Sequence, residues 1–154
     1  MNVFKADDVL RFAIRIEENG EAFYRRAGQA VSDDRVKQLF GRLADEEAKH
    51  RGVFQEMLDG LDAPPVEDEE EYEGEYLSYL RDYIDGKVVF CAQPGLTDAG
   101  DAIDFAIQRE LDSLLYYEEL KKLVAERHHR LLDVVIQEEA AHFSQLSEAR
   151  RTFA

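Results

Sequence analysis

The sequence predicts an all-α domain: a four-helix bundle of two helical hairpins, joined by a long crossover that contains a short helix. Two observations predict it. Four long stretches carry apolar residues at steps of three and four, with helix-starting and helix-stopping residues at their ends. Between the second and third stretches, from Gly60 to Thr97, lies a connection too long for a simple turn.

Asp7 and Asp8 stand just ahead of the first periodic stretch, which reaches about Val31. Ser32-Asp33-Asp34 offers an N-cap for the second helix, and Gly60 ends it. Ala63-Pro64-Pro65 then breaks the chain, and Tyr76 to Ile84 reads as a small amphipathic helix ending at Gly86. Residues 87 to 97, with Pro94-Gly95, read as irregular. Thr97, Asp98 or Asp101 caps a third long helix to about Ala125, and a turn over Glu126 to His129 leads into a fourth that lasts almost to Phe153. A structureless connection of this length is unusual in a compact domain. In a bundle it has a role: it travels the bundle's length so that the third helix starts at the required end.

The 154 residues fit one domain, 1–154, able to bury roughly 70% of its unfolded surface. Hydrophobic residues make up 45% and charged residues 34%, which excludes a disordered tail. No apolar run approaches the ~18 residues of a membrane span. The opening MNVFKADDVLRF lacks the apolar core and cleavage site of a signal peptide, and a cytoplasmic location is expected. Cys91 is the single cysteine, so neither an intrachain disulfide nor a CxxC pair exists. A net charge of −15 argues against nucleic acid, whose binding depends on Lys and Arg neutralising phosphate. Much of the acidity is local: Glu67 to Glu75 holds seven acidic residues in nine and reads as a solvated loop, with attraction of cations toward a metal site as a second reading.

An internal repeat locates the chemistry. Phe12-Ala13-Ile14 recurs as Phe105-Ala106-Ile107, and one offset then aligns the first and third helices. Leu10, Ala13, Glu17, Gly20, Tyr24, Ala27 and Val31 match Ile103, Ala106, Glu110, Ser113, Tyr117, Leu120 and Val124. Each set lies along one helix stripe that is apolar or small apart from one Glu and one Tyr. The second and fourth helices pair likewise, Phe40, Leu43, Glu47, His50, Phe54 and Met57 with Leu132, Val135, Glu139, His142, Leu146 and Ala149. Each contains Glu-x-x-His, and the stripe selects Glu47 and Glu139 as inward, leaving the preceding Glu46 and Glu138 to face outward or sideways.

Four carboxylates in a bundle core are very costly if ionised and unpaired. Two divalent cations would neutralise them and also explain the histidines, since residues at i and i+3 of a helix can reach one ion. The predicted ligands are therefore Glu17, Glu47, His50, Glu110, Glu139 and His142, the pattern of ferritin-like di-iron bundles. Gly20 and Ser113 leave room beside the metals. Tyr24 and Tyr117 can bring hydroxyls to ligand carboxylates. His128 and His129 are expected to be exposed at the turn, and Cys91 to be a packing residue.

At these residues, notably Ile16-Glu17-Glu18-Asn19-Gly20-Glu21-Ala22-Phe23-Tyr24 and the two Glu-x-x-His helices, the chain resembles the rubrerythrin branch of the ferritin-like superfamily over essentially its whole length. The resemblance implies a non-haem di-iron centre that reacts with hydrogen peroxide or dioxygen, with the six residues above as ligands and some carboxylates bridging. It implies roles beside the ligands for Tyr24 and Tyr117. Two departures matter. Full-length rubrerythrins carry a rubredoxin-type domain with CxxC pairs that this sequence lacks, so electrons would come from a separate donor protein. Ser113 stands where some of these centres have a further glutamate, which brings the ligand set closer to ferritin and bacterioferritin. The expected function is a di-iron oxidoreductase that reduces hydrogen peroxide, in a small oligomer, a dimer. Ferroxidase iron handling and non-redox binding of zinc or manganese are the alternatives.

Overall fold

The computed structural model describes residues 6–61 and 96–153. Four long helices account for most of them: α1 (Ala6–Ala30), α2 (Asp34–Leu61), α3 (Ala99–Lys121) and α4 (His129–Arg151), with a short 3-10 turn over Glu126–His128. The helix ends follow local chemistry. Asp7 and Asp8 fall inside the first turn of α1, not ahead of it, where carboxylates suit the positive end of the helix dipole. Asp33 caps α2, its Oδ1 accepting from Arg35 N at 2.9 Å and Val36 N at 3.1 Å. Of the three candidate caps for α3, Asp98 takes the role, accepting from Asp101 N at 2.9 Å.

α3 stops at Lys121, short of the expected Ala125. There the backbone tightens, Leu123 N donating to Leu120 O, and the buried Leu123 anchors the turn in the core. His128 and His129 in that turn are half-buried, not exposed, and His129 Nε2 lies 3.2 Å from Val124 O. The proposed helix at Tyr76 to Ile84, the acidic run and Cys91 lie outside the described residues.

α1 packs chiefly on α2 and α3 on α4, with α1 also touching α3 and α2 touching α4. Tyr116 OH donates to Val9 O at 3.0 Å and Arg109 Nη2 to Ile16 O at 3.1 Å, a reversed order of contacts that sets α1 and α3 side by side in opposite directions. The four stripes converge as the repeat predicts. Every member is buried except Val124 and Ala149, which are partly so. The apolar residues form two clusters. One gathers Leu10, Phe54, Met57, Leu120, Leu132 and Val135, the other Phe23, Phe40, Leu43, Ile103 and Leu146. Burying one such side chain is worth about 1.5–3 kcal/mol. These clusters pack the bundle on both sides of a polar layer and hold that layer away from water. Among the described residues, no helix is long and apolar enough to cross a membrane.

Candidate metal centre

The polar layer is built by all six predicted residues, each buried: Glu17 from α1, Glu47 and His50 from α2, Glu110 from α3, Glu139 and His142 from α4. They form two overlapping groups. Glu17, His50, Glu47 and Glu139 each offer one ligand atom within 4.8 Å of the others, and so do Glu110, His142, Glu47 and Glu139. Glu47 and Glu139 belong to both groups, the position of bridging carboxylates. Each pocket then has its own glutamate and histidine from a single hairpin, Glu17 and His50 from α1–α2 and Glu110 and His142 from α3–α4. The donor set of carboxylates and imidazoles suits iron, manganese or zinc.

Unpartnered atoms test whether the residues fit a metal. Glu17 Oε2, Glu110 Oε2 and His142 Nδ1 are fully buried without a hydrogen bond. Buried polar atoms are rarely left so, and of the four such atoms among the described residues three belong to the proposed ligands, the fourth being Asp7 Oδ1 at the start of α1. His142 Nδ1 stands 3.6 Å from Glu47 Oε1 and 3.7 Å from Glu110 Oε1, too far for hydrogen bonds. His50 Nδ1 has turned to Glu139 Oε1 at 2.7 Å, with Glu17 Oε2 at 3.7 Å.

The charges in this layer cannot all coexist without a cation. Burial pushes the Glu17 carboxyl up to about 7, with the charge of Glu110 adding to it and the Tyr117 hydrogen bond opposing. Burial and neighbouring carboxylates hold Glu47 and Glu139 well above the usual range as well. Glu110 goes the other way: burial raises it, but Glu139, His142 and Tyr24 outweigh burial and bring it down to about 2. Burial lowers the His142 imidazole, yet Glu110 and Glu47 overcome that and lift it to about 11. Protons thus stand in for the missing positive charge, and metal binding would displace them.

The second layer is cross-wired between helices. Tyr24 OH on α1 donates to Glu110 Oε1 at 2.5 Å, and Tyr117 OH on α3 donates to Glu17 Oε1. Burial and nearby carboxylates raise both tyrosines well above the usual range, so they remain hydrogen-bond donors. Glu46 and Glu138, expected to point outward or sideways, do run sideways. Their tips reach the far nitrogens of the opposite histidines: Glu138 Oε2 lies 2.6 Å from His50 Nε2, and Glu46 Oε2 contacts His142 Nε2. Half-exposed carboxylates therefore fix the ring orientation that turns each Nδ1 inward. The doubled glutamates carried that signal, although helix periodicity alone reads them as surface.

Sequence reasoning missed two buried charged groups on α3, Asp112, which accepts from Gln108 Nε2 at 3.1 Å, and Arg109, which lies against the centre. Arg109 is 2% exposed, donates from Nη2 to Ile16 O at 3.1 Å and lies over the Phe23 ring at 5.8 Å from its centroid. Burial lowers the guanidinium, but Glu47, Tyr24, Glu110 and Glu17 outweigh it and hold the charge in place. Its presence corrects the reading of Gly20. A Cβ there would stand 3.0 Å from Arg109 Nη1 and 3.0 Å from Glu47 Oε2, so the bare turn makes room for a guanidinium and a carboxylate.

Comparison with known proteins agrees with this geometry. The family model described as Rubrerythrin matches residues 8–150. A crystal structure from Thermotoga maritima, described as a candidate ferritin-like diiron-carboxylate protein, is 28% identical with a TM-score of 0.74, covering 100% of this chain and 99% of that one. No curated protein matches. The match spans all four helices and every residue of the centre, and on it the chain belongs to the rubrerythrin family of ferritin-like di-iron proteins.

Proposed function

We propose that this protein is a di-iron-carboxylate oxidoreductase that reduces hydrogen peroxide, with electrons delivered by an external donor protein. The observation that carries the proposal is the pair of overlapping four-residue pockets sharing Glu47 and Glu139. Glu17 and His50 would hold one iron, Glu110 and His142 the other, and the shared glutamates both. The iron pair would supply two electrons by going from Fe(II)Fe(II) to Fe(III)Fe(III). Reduction of one peroxide to two waters consumes those two electrons and two protons.

The protein's part is positioning and exclusion of water. Tyr24 and Tyr117 keep Glu110 and Glu17 on the helix seam. Glu46 and Glu138 link the histidines to the half-exposed surface, and so offer a route by which protons exchange with solvent. The apolar clusters on either side confine the reaction to this layer. Six protein ligands favour retention of iron through a cycle, whereas iron handling needs oxidised iron to leave. The single cysteine leaves no CxxC pair for a rubredoxin-type centre within these 154 residues, so the proposal assigns electron delivery to a separate redox centre.

The test is anaerobic loading with Fe²⁺, stopped-flow mixing with H₂O₂ or O₂, and a count of iron retained after desalting. Faster reaction with H₂O₂ and retention of both irons is the expected result. Faster reaction with O₂ and turnover of many added Fe²⁺ per chain would establish ferroxidase chemistry instead. A fully iron-loaded protein inert to both oxidants would point to a non-redox centre.

A further inference from the structure

The six ligands obey the repeat, but their surroundings do not. Under the offset that pairs Glu17 with Glu110, Arg109 on α3 corresponds to Ile16 on α1, and Gly20 corresponds to Ser113. One half of the centre thus has a buried guanidinium set against a bare glycine turn, and the other has an isoleucine and a serine. Arg109 Nη2 is tied to Ile16 O at 3.1 Å, and Nη1 and Glu47 Oε2 flank the same point beside Gly20. A guanidinium does not lose its proton in proteins, so this charge is permanent.

Its position favours one pocket. Gly20 lies one turn beyond Glu17 toward Tyr24, and Tyr24 OH is bonded to Glu110. Arg109 also lies over Phe23, in the apolar cluster that holds Tyr24 and the Leu146 one turn beyond His142. Tyr117, bonded to Glu17, and the Phe54 one turn beyond His50 belong to the other cluster. The guanidinium therefore lies on the Glu110–His142 side of the polar layer. A fixed positive charge opposes a nearby cation, and the effect falls with distance.

We infer that Arg109 makes the two metal pockets unequal, weakening the Glu110–His142 pocket relative to the Glu17–His50 pocket. The first divalent ion enters the Glu17–His50 pocket, and the second binds against the field of Arg109. Removing that charge reduces the separation between the two binding constants on the order of tenfold, the size expected for one unit charge acting unequally on two ions through a screened interior. The inference rests on the two-metal reading of the site.

The experiment is titration of the metal-free protein with Zn²⁺ in competition with a chelator, for the wild type, Arg109→Gln and Arg109→Lys. It is paired with a wild-type crystal given less than one Zn²⁺ per chain. In Arg109→Gln the two constants should draw together, whereas Arg109→Lys, whose ammonium stays charged beside the carboxylates, should keep them apart. The crystal should show zinc between Glu17 and His50. An unchanged separation in Arg109→Gln overturns the inference, and so does its loss in both variants, which would trace it to packing rather than charge. Zinc found first between Glu110 and His142 also overturns it, and that measurement stands even if Arg109→Gln does not fold. Failure of the wild type to bind zinc at all would instead sink the two-metal reading.

Discussion

The α1–α2 and α3–α4 hairpins carry matching candidate ligands, yet the two halves of the centre differ in electrostatics. Glu17 and Glu110 occupy equivalent positions, and each accepts a tyrosine hydroxyl from the opposite helix. One is nevertheless pushed up to about 7 and the other brought down to about 2, because Glu110 has Glu139 and His142 close by. A repeat in sequence fixes which residue types reach the seam. The charges around each copy decide which carboxyl keeps a proton when the metal is absent.

The strongest way to break the comparison is to alter the shared and unshared ligands separately. Glu47→Gln or Glu139→Gln removes a carboxylate common to both pockets, so metal content after loading should fall below one ion per chain. Glu17→Gln or Glu110→Gln should leave about one. Elemental analysis after desalting reads the difference, and equal losses from all four would mean that no carboxylate is shared. In the metal-free protein, Glu47→Gln should raise the melting temperature, because a buried acid with a strongly raised pKa is replaced by a neutral isostere.

A second test uses pH. Glu17, Glu47 and Glu139 have folded-state values above the unfolded carboxyl, so the unfolded chain loses these protons first as pH rises. Their contribution is full below about 4.5 and falls as pH climbs toward 7 and beyond. His142, lifted from 6.5 to about 11, contributes fully below 6.5 and loses that contribution between those values. Glu110, held near 2, acts oppositely but only below 4.5. Metal-free protein should therefore melt at progressively lower temperature from pH 5 to 8. Metal binding displaces the same protons, so the stabilisation by metal should grow over that range. A metal-free melting temperature that rises across this window would contradict the charge assignment.

Smaller effects sharpen the comparison of the tyrosines. Tyr24→Phe and Tyr117→Phe each remove one hydroxyl from a terminal carboxylate and should weaken metal binding by about 10-fold to 100-fold with two ions still bound. If Arg109 acts as inferred, Tyr24→Phe should chiefly affect the weaker of the two constants. Least of all, Glu46→Gln and Glu138→Gln should lower affinity by about tenfold at most, since these carboxylates are half-exposed, and stoichiometry should stay at two. Loss of an ion in either would make that glutamate a ligand.

The sequence alone determined the bundle and the six candidate ligands and two tyrosines that meet in its buried polar layer. Steps of three and four residues force a side chain onto the buried stripe, and a carboxylate there needs a cation or a proton whatever the details of packing. Helix ends were legible to within a turn, because Asp33 and Asp98 satisfy backbone N–H groups only a few residues away. Only the tertiary structure decided where Glu46, Glu138 and Arg109 go. Each has a long side chain one residue away from a ligand on its own helix, and its partner lies on another helix: His142, His50 and the Ile16 carbonyl. Periodicity assigns a direction to the Cα–Cβ bond, but several further rotatable bonds separate that direction from the charged tip. Where the tip ends depends on the neighbouring helix, and the bare turn at Gly20 that admits Arg109 exists only once α1 and α3 are packed together.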